Sequence, residues 1–174
     1  MNRIRLAIMQ HIPLLAKQLG QEFFNDQMIK LCVGWLGDNI STIRKSAAEN
    51  LKELTNIFGA QWAIDHLIPS LGDIKRHQSY LRRLTAVQAF IAMSTVMEPD
   101  VATTEILPIV LLMATDNVAN VRFNVAQGLR SMAPICGQAA TDTQIRPILA
   151  MLVDDPDRDV RFFASKTIES LDSE

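Results

Sequence analysis

The sequence has few of the residues that interrupt helices or build β-sheets. Its 174 residues include only seven Gly and seven Pro, and aromatic residues make up 6% of the chain. No segment shows the alternation of β-branched and polar residues that is typical of half-buried strands. A chain of this composition is expected to be all-α.

Several classes of function also lack support. A net charge of -2 gives no sign of the basic surface that usually meets nucleic acid or an anionic membrane. No apolar run approaches the roughly 20 residues that span a bilayer, and the start M-N-R-I-R lacks the apolar region of a signal peptide. Cys32 and Cys136 lie far outside metal-ligand spacing and are expected to be reduced and buried. We therefore expect a cytoplasmic protein, with the nucleus as a second location.

An arginine recurs every 39 residues through the whole chain, at Arg5, Arg44, Arg83, Arg122 and Arg161. A constant spacing without insertions predicts a repeat architecture. Apolar columns keep the same period on both helices of each unit. Seven residues after the Arg stand Ile12, Leu51, Phe90, Leu129 and Ile168, and twelve before it stand Cys32, Leu71, Val110 and Leu149. Since no unit can bury both faces alone, the pairs are expected to stack into a solenoid.

The period divides the chain into four helix pairs and the second helix of an earlier pair. We predict a single domain over residues 1–174, with a truncated repeat at 1–20 and full repeats at 21–59, 60–98, 99–137 and 138–174. A glycine column at Gly20, Gly59 and Gly137 is expected to end second helices, with Glu98 as the exception. A proline column at Pro69, Pro108 and Pro147 is expected to kink first helices, whereas Lys30 predicts a straighter one.

These columns resemble the HEAT repeat, which has a Pro in its first helix and an Asp six residues before an Arg or Lys. Two longer strings are R-L-A-I-x-x-x-x-P-L-L-A-x-Q-L-G-x-E-F-F from Arg5 to Phe24 and D-N-V-A-N-V-R-F-N-V-A from Asp116 to Ala126. Both are similar to the C-terminal repeats of the scaffolding A subunits of protein phosphatase 2A. The resemblance covers the whole chain and implies an all-α solenoid of about four and a half antiparallel HEAT helix pairs.

The resemblance implies a non-catalytic scaffold that binds the phosphatase catalytic subunit through the turn joining the two helices of each repeat. It also implies that B-type regulatory subunits mainly use repeats absent from this chain. The implied partner-binding residues are Arg3, Asn39, Ile40, Ser41, Gln78, Ser79, Tyr80, Asn117, Val118, Ala119, Asn120, Asp157 and Arg158. The family has Trp before the first Arg and Tyr in the second turn, where this chain has Asn2 and Ser41. Arg3, Tyr80 and Val118 are the expected anchors, and no cofactor, nucleic acid or membrane partner is predicted.

The recurring arginines also have a structural interpretation. Asp38, Asp116 and Asp155 stand six residues before an arginine, and His77 takes the place of a fourth acid. With neighbouring helices about 8–10 Å apart, an arginine can reach the acid of the next turn and form a charge-assisted hydrogen bond. We predict a structural ladder with His77 as a variant member and, as its regular members, Asp38, Arg44, Arg83, Asp116, Arg122, Asp155 and Arg161.

Little in the sequence favours catalysis or metal binding. Residues 154–159 alternate acids as a calcium loop does, but Val160 and Lys166 stand where such a loop needs Gly and Glu. A solvated turn with helix-capping carboxylates is the expected role. The three histidines have no H-E-x-x-H partner, and there is no phosphate-binding loop or nucleophile elbow. We predict that the protein is not an enzyme.

An alternative hypothesis keeps the solenoid and changes the partner. A transport or chaperone-like adaptor would bind on its concave helix face, through exposed second-helix positions such as Gln127, Arg130 and Lys166. Those positions are mixed in charge and do not form a strong peptide-binding stripe.

The two ends of the chain carry separate expectations. Residues 1–20 have no first helix before them in this sequence, so Ile8, Met9, Ile12 and Leu15 are expected to lose part of their cover. Fraying or self-association is expected there. The C-terminal L-D-S-E is expected to be the natural end.

Overall fold

A computed structural model describes residues 2–173, of which Asn2 is described by its backbone alone. Residues 2–173 form helices and turns and contain no β-strand, and none of their helices is long and apolar enough to cross a membrane. They fall into two compact units, residues 1–97 and 98–174. The α-helices are α1 (Asn2–Phe23), α2 (Ile29–Gly34), α3 (Ser41–Phe58), α4 (Ala60–Trp62), α5 (Ile68–Leu71), α6 (Tyr80–Ser94), α7 (Pro99–Val101), α8 (Leu107–Leu112), α9 (Ala119–Ala140), α10 (Arg146–Leu152) and α11 (Arg158–Asp172).

The first helix of each repeat is interrupted by one π-helical turn. These turns are Phe24–Met28, Ala63–Leu67, Ala102–Ile106 and Thr141–Ile145, and they keep the 39-residue period. In three repeats the predicted proline follows the π turn closely, as Pro69 does after Leu67. Lys30 stands where these three repeats have proline, and Phe24–Met28 still forms the same π turn before it. Proline is therefore not required for this distortion.

The glycine column marks the boundary between repeats. Gly20, Gly59 and Gly137 have φ values of 79°, 91° and 83°. Only glycine adopts this left-handed backbone without steric cost. Gly20 and Gly137 are therefore kinks inside α1 and α9, where one repeat ends and the next begins. Glu98, the exception in the column, has a φ of −60° and caps α7.

Residues 1–97 form a core between the second helices α1, α3 and α6 and the first-helix segments that flank them. The apolar column is buried as predicted, since Ile12 and Leu51 are 0% exposed and Phe90 is 1% exposed. Cys32 on α2 is also fully buried. Each fully buried large apolar side chain, such as that of Leu51, stabilises the folded state by about 1.5–3 kcal/mol because it is removed from water.

Residues 98–174 repeat this arrangement around α9 and α11, with α8 and α10 as first-helix segments. Leu129, Val110 and Leu149 are each 0% exposed. Ile168 on α11 is only half-buried. The period of 39 thus predicts the core column well in the inner helices and less well in α11.

The expectation of lost cover on α1 is correct in part. Ile8 is 48% exposed and Leu15 is half-buried, but Met9 and Ile12 are 0% exposed. The prediction is wrong for Met9 and Ile12 because they belong to the side of α1 that packs against α3. Helical geometry separates the two sides, since adjacent positions differ by about 100° around the axis.

Candidate functional site in the intra-repeat turns

The turns between first and second helices share one backbone geometry. The residue that precedes the second helix is Ile40, Ser79, Val118 or Asp157, and its φ lies between −99° and −75° with ψ between 114° and 132°. This extended conformation is typical of a helix N-cap. The side chains of Ser79 and Asp157 also accept backbone N–H groups of the helix they begin. The backbone at the end of each turn is therefore fixed by the start of the second helix.

A side chain two residues before the cap closes each turn. Asp38, Asp116 and Asp155 accept the N–H of the capping residue through Oδ1 at 2.9, 2.9 and 2.8 Å. His77 takes the same role, because its Nδ1 accepts the Ser79 N–H at 3.1 Å. This bond requires an unprotonated Nδ1. The histidine thus reproduces the turn-closing function of the acid without its charge.

The recurring arginine closes the same turn from the other side. Arg44, Arg83, Arg122 and Arg161 each donate through Nη1, at 2.7 Å, to the carbonyl of the residue six positions earlier. This contact was not predicted from the sequence. It satisfies a backbone acceptor beside the helix start, where orphan groups otherwise need water.

In residues 1–97 one ion pair joins the start of α1 to the turn before α3. Nη1 of Arg5 lies 2.5 Å from Oδ2 of Asp38, whose side chain is 11% exposed. Arg44 stands 33 residues before His77, as Arg5 stands 33 before Asp38. Since His77 is not an acid, Arg44 forms no ion pair with any of the described residues. The ladder within this unit is interrupted at His77.

In residues 98–174 the corresponding pair is bidentate. Nε and Nη2 of Arg122 donate to Oδ2 and Oδ1 of Asp155 at 2.7 and 2.9 Å, and the side chains are 13% and 7% exposed. The hydrogen bonds from Arg122 hold the pKa of Asp155 below its usual value, against the opposing effect of burial. They also raise the pKa of Arg122. Asp155 thereby ties its own turn to the preceding one.

The predicted partner-binding residues differ in accessibility. Ile40, Ser79, Val118, Ala119 and Asp157 are half-buried at the helix starts, where they shape the backbone. Arg3 is exposed, but it lies in the first turn of α1 and not between two described helices. Tyr80 is 41% exposed as the first residue of α6. The exposed tip residues are Asn39, Ser41, Gln78, Asn117, Asn120 and Arg158.

The exposed tip residues of the turns carry amide, hydroxyl and guanidinium groups that can form hydrogen bonds. Among residues 2–173, no cluster of three or more His, Cys, Asp or Glu side chains is placed to hold a metal ion. Burial raises the pKa of Cys32 to about 12, so this thiol stays protonated and unreactive. Burial also raises the pKa of Cys136, which is half-buried.

These repeated helix pairs and turns define an all-α helical-repeat fold. The family model described as "HEAT repeat" matches residues 106–136, which include α8 and most of α9. The solved structure titled "Crystal structure of Cex1p" aligns with a TM-score of 0.71 over 99% of this chain and 34% of that chain. At 13% identity this likeness concerns the fold alone. The predicted all-α solenoid fold is confirmed.

The particular proteins that the chain resembles are phosphatase subunits. It is 38% identical over 78 residues to the regulatory A subunit of protein phosphatase PP2A from Saccharomyces cerevisiae, a match covering 44% of this chain and 12% of the relative. It is 40% identical over 73 residues to the protein of the same name in Schizosaccharomyces pombe, covering 42% of this chain and 12% of the relative. The resemblance to the phosphatase A subunits is confirmed over these matched stretches, which form a small part of each relative.

Proposed function

We propose that this chain is a non-catalytic scaffold segment that binds the catalytic subunit of protein phosphatase 2A through its intra-repeat turns. The observation that carries the proposal is the similarity to two regulatory A subunits, at 38% and 40% identity. The common geometry of the turns supports it. A surface that is repeated in register offers several contact points to one large partner.

The turns are suited to binding because their backbones are already fixed. Each is held by an N–H bond to the side chain at positions 38, 77, 116 or 155 and by an arginine bond to the carbonyl of the same residue. A partner then loses less free energy to ordering the loop when it binds. Tyr80 supplies an exposed aromatic side chain, a type that is favoured in binding hot spots.

The remaining partners and the location follow from the same proposal. In the full assembly, B-type regulatory subunits would dock mainly on repeats outside this chain. The scaffold would act in the cytoplasm and in the nucleus.

Binding of the purified catalytic subunit to the chain, measured by calorimetry or biolayer interferometry, tests this proposal. The joint substitution Arg3→Ala, Tyr80→Ala and Val118→Ala is expected to weaken binding by at least about tenfold. That loss corresponds to about 1.4 kcal/mol, a modest amount for three contacts that include an aromatic anchor.

A matched control is available at the opposite end of the second helices. Lys17, Asn56 and Thr95 are exposed, keep the same period and include one cation, as the test set does. Their joint replacement by Ala is expected to leave binding unchanged. Equal binding by both triple variants would refute the assignment of the turns, and no binding by the wild-type chain would refute the proposed function.

A further inference from the structure

An open groove lies in residues 98–174, between the turn after α8 and the turn after α10. Its volume is about 410 Å³. Its apolar walls are Ala114, Met151, Leu152 and Pro156. Met151 is 45% exposed, although most large apolar side chains of its unit are buried. The groove thus presents apolar surface to solvent beside the candidate binding turns.

Three acidic side chains, Asp116, Asp154 and Asp155, line the same groove together with Arg122. Asp155 lies in the wall, but its charge is balanced by the bidentate contact with Arg122. Asp154 is different, because it is exposed and forms no ion pair with any residue in the described part of the chain. The carboxylate of Asp154 is therefore a lining charge of the groove that no ion pair among the described residues neutralises.

An apolar wall with a carboxylate at the rim fits a long cationic side chain. The methylene stem of a lysine or arginine can cover Met151 and Pro156 while its charged end reaches Asp154. A neutral apolar side chain would leave the carboxylate without a partner, and an acidic side chain would be repelled by it. Charge and shape thus select one kind of occupant.

We propose that this groove is a specificity pocket for a lysine or arginine side chain of a protein partner. It rests on the proposed function, since the groove adjoins the turns at 116–120 and 155–158, and the partner there is the phosphatase catalytic subunit. The occupant is then a basic side chain on the face of the catalytic subunit that meets this unit.

Charge reversal at the rim tests the pocket. Asp154→Lys is expected to weaken binding of the catalytic subunit by about tenfold at low salt, and by less at high salt because screening weakens exposed pairs. Met151→Ser, which removes the apolar wall, is expected to weaken binding by a few-fold at both salt concentrations. Asp100→Lys is the matched control, because Asp100 is an exposed acid of the same unit in α7, outside the groove. It makes the same change in net charge and is expected to alter binding by less than about twofold.

The outcomes separate this proposal from the proposed function. If the wild-type chain binds and Asp154→Lys matches Asp100→Lys, the pocket is refuted while the scaffold function stands. If the wild-type chain does not bind the catalytic subunit, hexalysine and hexaglutamate peptides decide the question by nuclear magnetic resonance. Amide shifts at Ala114, Met151 and Leu152 with hexalysine alone, lost in Asp154→Lys, would support the pocket. Their absence, or equal shifts in Asp154→Lys, would overturn it.

Discussion

Nδ2 of Asn50 on α3 donates a 2.9 Å hydrogen bond to the main-chain carbonyl of Met9 on α1. The carbonyl of Met9 is the one that would normally accept the N–H of residue 13, and residue 13 is Pro, which has none. Asn50 is only 6% exposed, so its amide replaces the missing helical donor inside the interface between two second helices.

We predict that Asn50→Ala lowers the free energy of unfolding by about 1–3 kcal/mol, because it leaves a buried carbonyl without a donor. In a Pro13→Ala background the N–H of residue 13 can bond to Met9, so the cost of Asn50→Ala should fall below about 1 kcal/mol. Urea unfolding of the four proteins in this double-mutant cycle measures the coupling. Additive effects would show that Asn50 does not compensate for Pro13.

A related bond lies in the other unit. Oγ1 of Thr167 on α11 donates at 2.8 Å to the carbonyl of Ala126 on α9, and Thr167 is 2% exposed. Thr167→Val keeps the shape and removes the hydroxyl, so we expect a loss of about 0.5–1.5 kcal/mol in the free energy of unfolding. Thr143→Val is the control, since Thr143 is exposed and its hydroxyl bonds only to Ala139 of its own helical segment. A cost for Thr143→Val equal to that for Thr167→Val would argue against the interhelical bond.

The Arg122–Asp155 pair gives a prediction about pH. Its hydrogen bonds lower the pKa of Asp155 in the folded protein, so between the folded and unfolded pKa values the unfolded chain binds more protons. The contribution of the pair is therefore present above the unfolded value of about 3.9 and is lost as the pH falls through the folded value. Asp155→Asn keeps an acceptor for the Asp157 N–H and removes the charge. It should lower the free energy of unfolding by about 1.5–3 kcal/mol at pH 7 and reduce the loss of stability below about pH 4.

Thermal or urea unfolding of wild type and Asp155→Asn across pH 2.5–7 measures both effects. Asp159→Asn serves as the comparison, because Asp159 is exposed and forms no ion pair among the described residues. A pH dependence that is unchanged by Asp155→Asn but reduced by Asp159→Asn would contradict the assigned role of the pair.

The sequence predicts those features that depend on the period alone. Leu51, Phe90 and Leu129 share a column 39 residues apart, and each is buried because every repeat places that column against its neighbour. Asn50 and Thr167 stand in one column of the 39-residue period, together with Ala89 and Gly128. The polar side chains of Asn50 and Thr167 were the only sign in the sequence of a hydrogen bond between helices. The carbonyls that they bond stand 41 residues earlier, a separation set by how far one helix is shifted along its axis relative to its neighbour. The 39-residue period alone does not predict this axial shift.

The turns also combine features that the sequence predicts with features that it does not. An arginine six residues after an acid is visible in the sequence at Arg122 and Asp116, but the acceptor that Arg122 reaches within its own turn is the backbone carbonyl of Asp116. A side-chain pattern carries no information about main-chain acceptors. The sequence also does not predict the role of His77, because its Nδ1 can accept the Ser79 N–H only when the ring lies beside that group.

The interruption at His77 can be repaired by substitution. His77→Asp supplies a carboxylate 33 residues after Arg44, the spacing at which Arg5 meets Asp38 and Arg122 meets Asp155. The new Oδ1 can still accept the Ser79 N–H, as Asp38 accepts that of Ile40. We expect His77→Asp to raise the free energy of unfolding at pH 7 by about 0.5–1.5 kcal/mol. His77→Asn, which offers the same turn acceptor without charge, should give no comparable gain. The gain should disappear in an Arg44→Gln background, and its persistence there would show that the added carboxylate acts on the turn and not through Arg44.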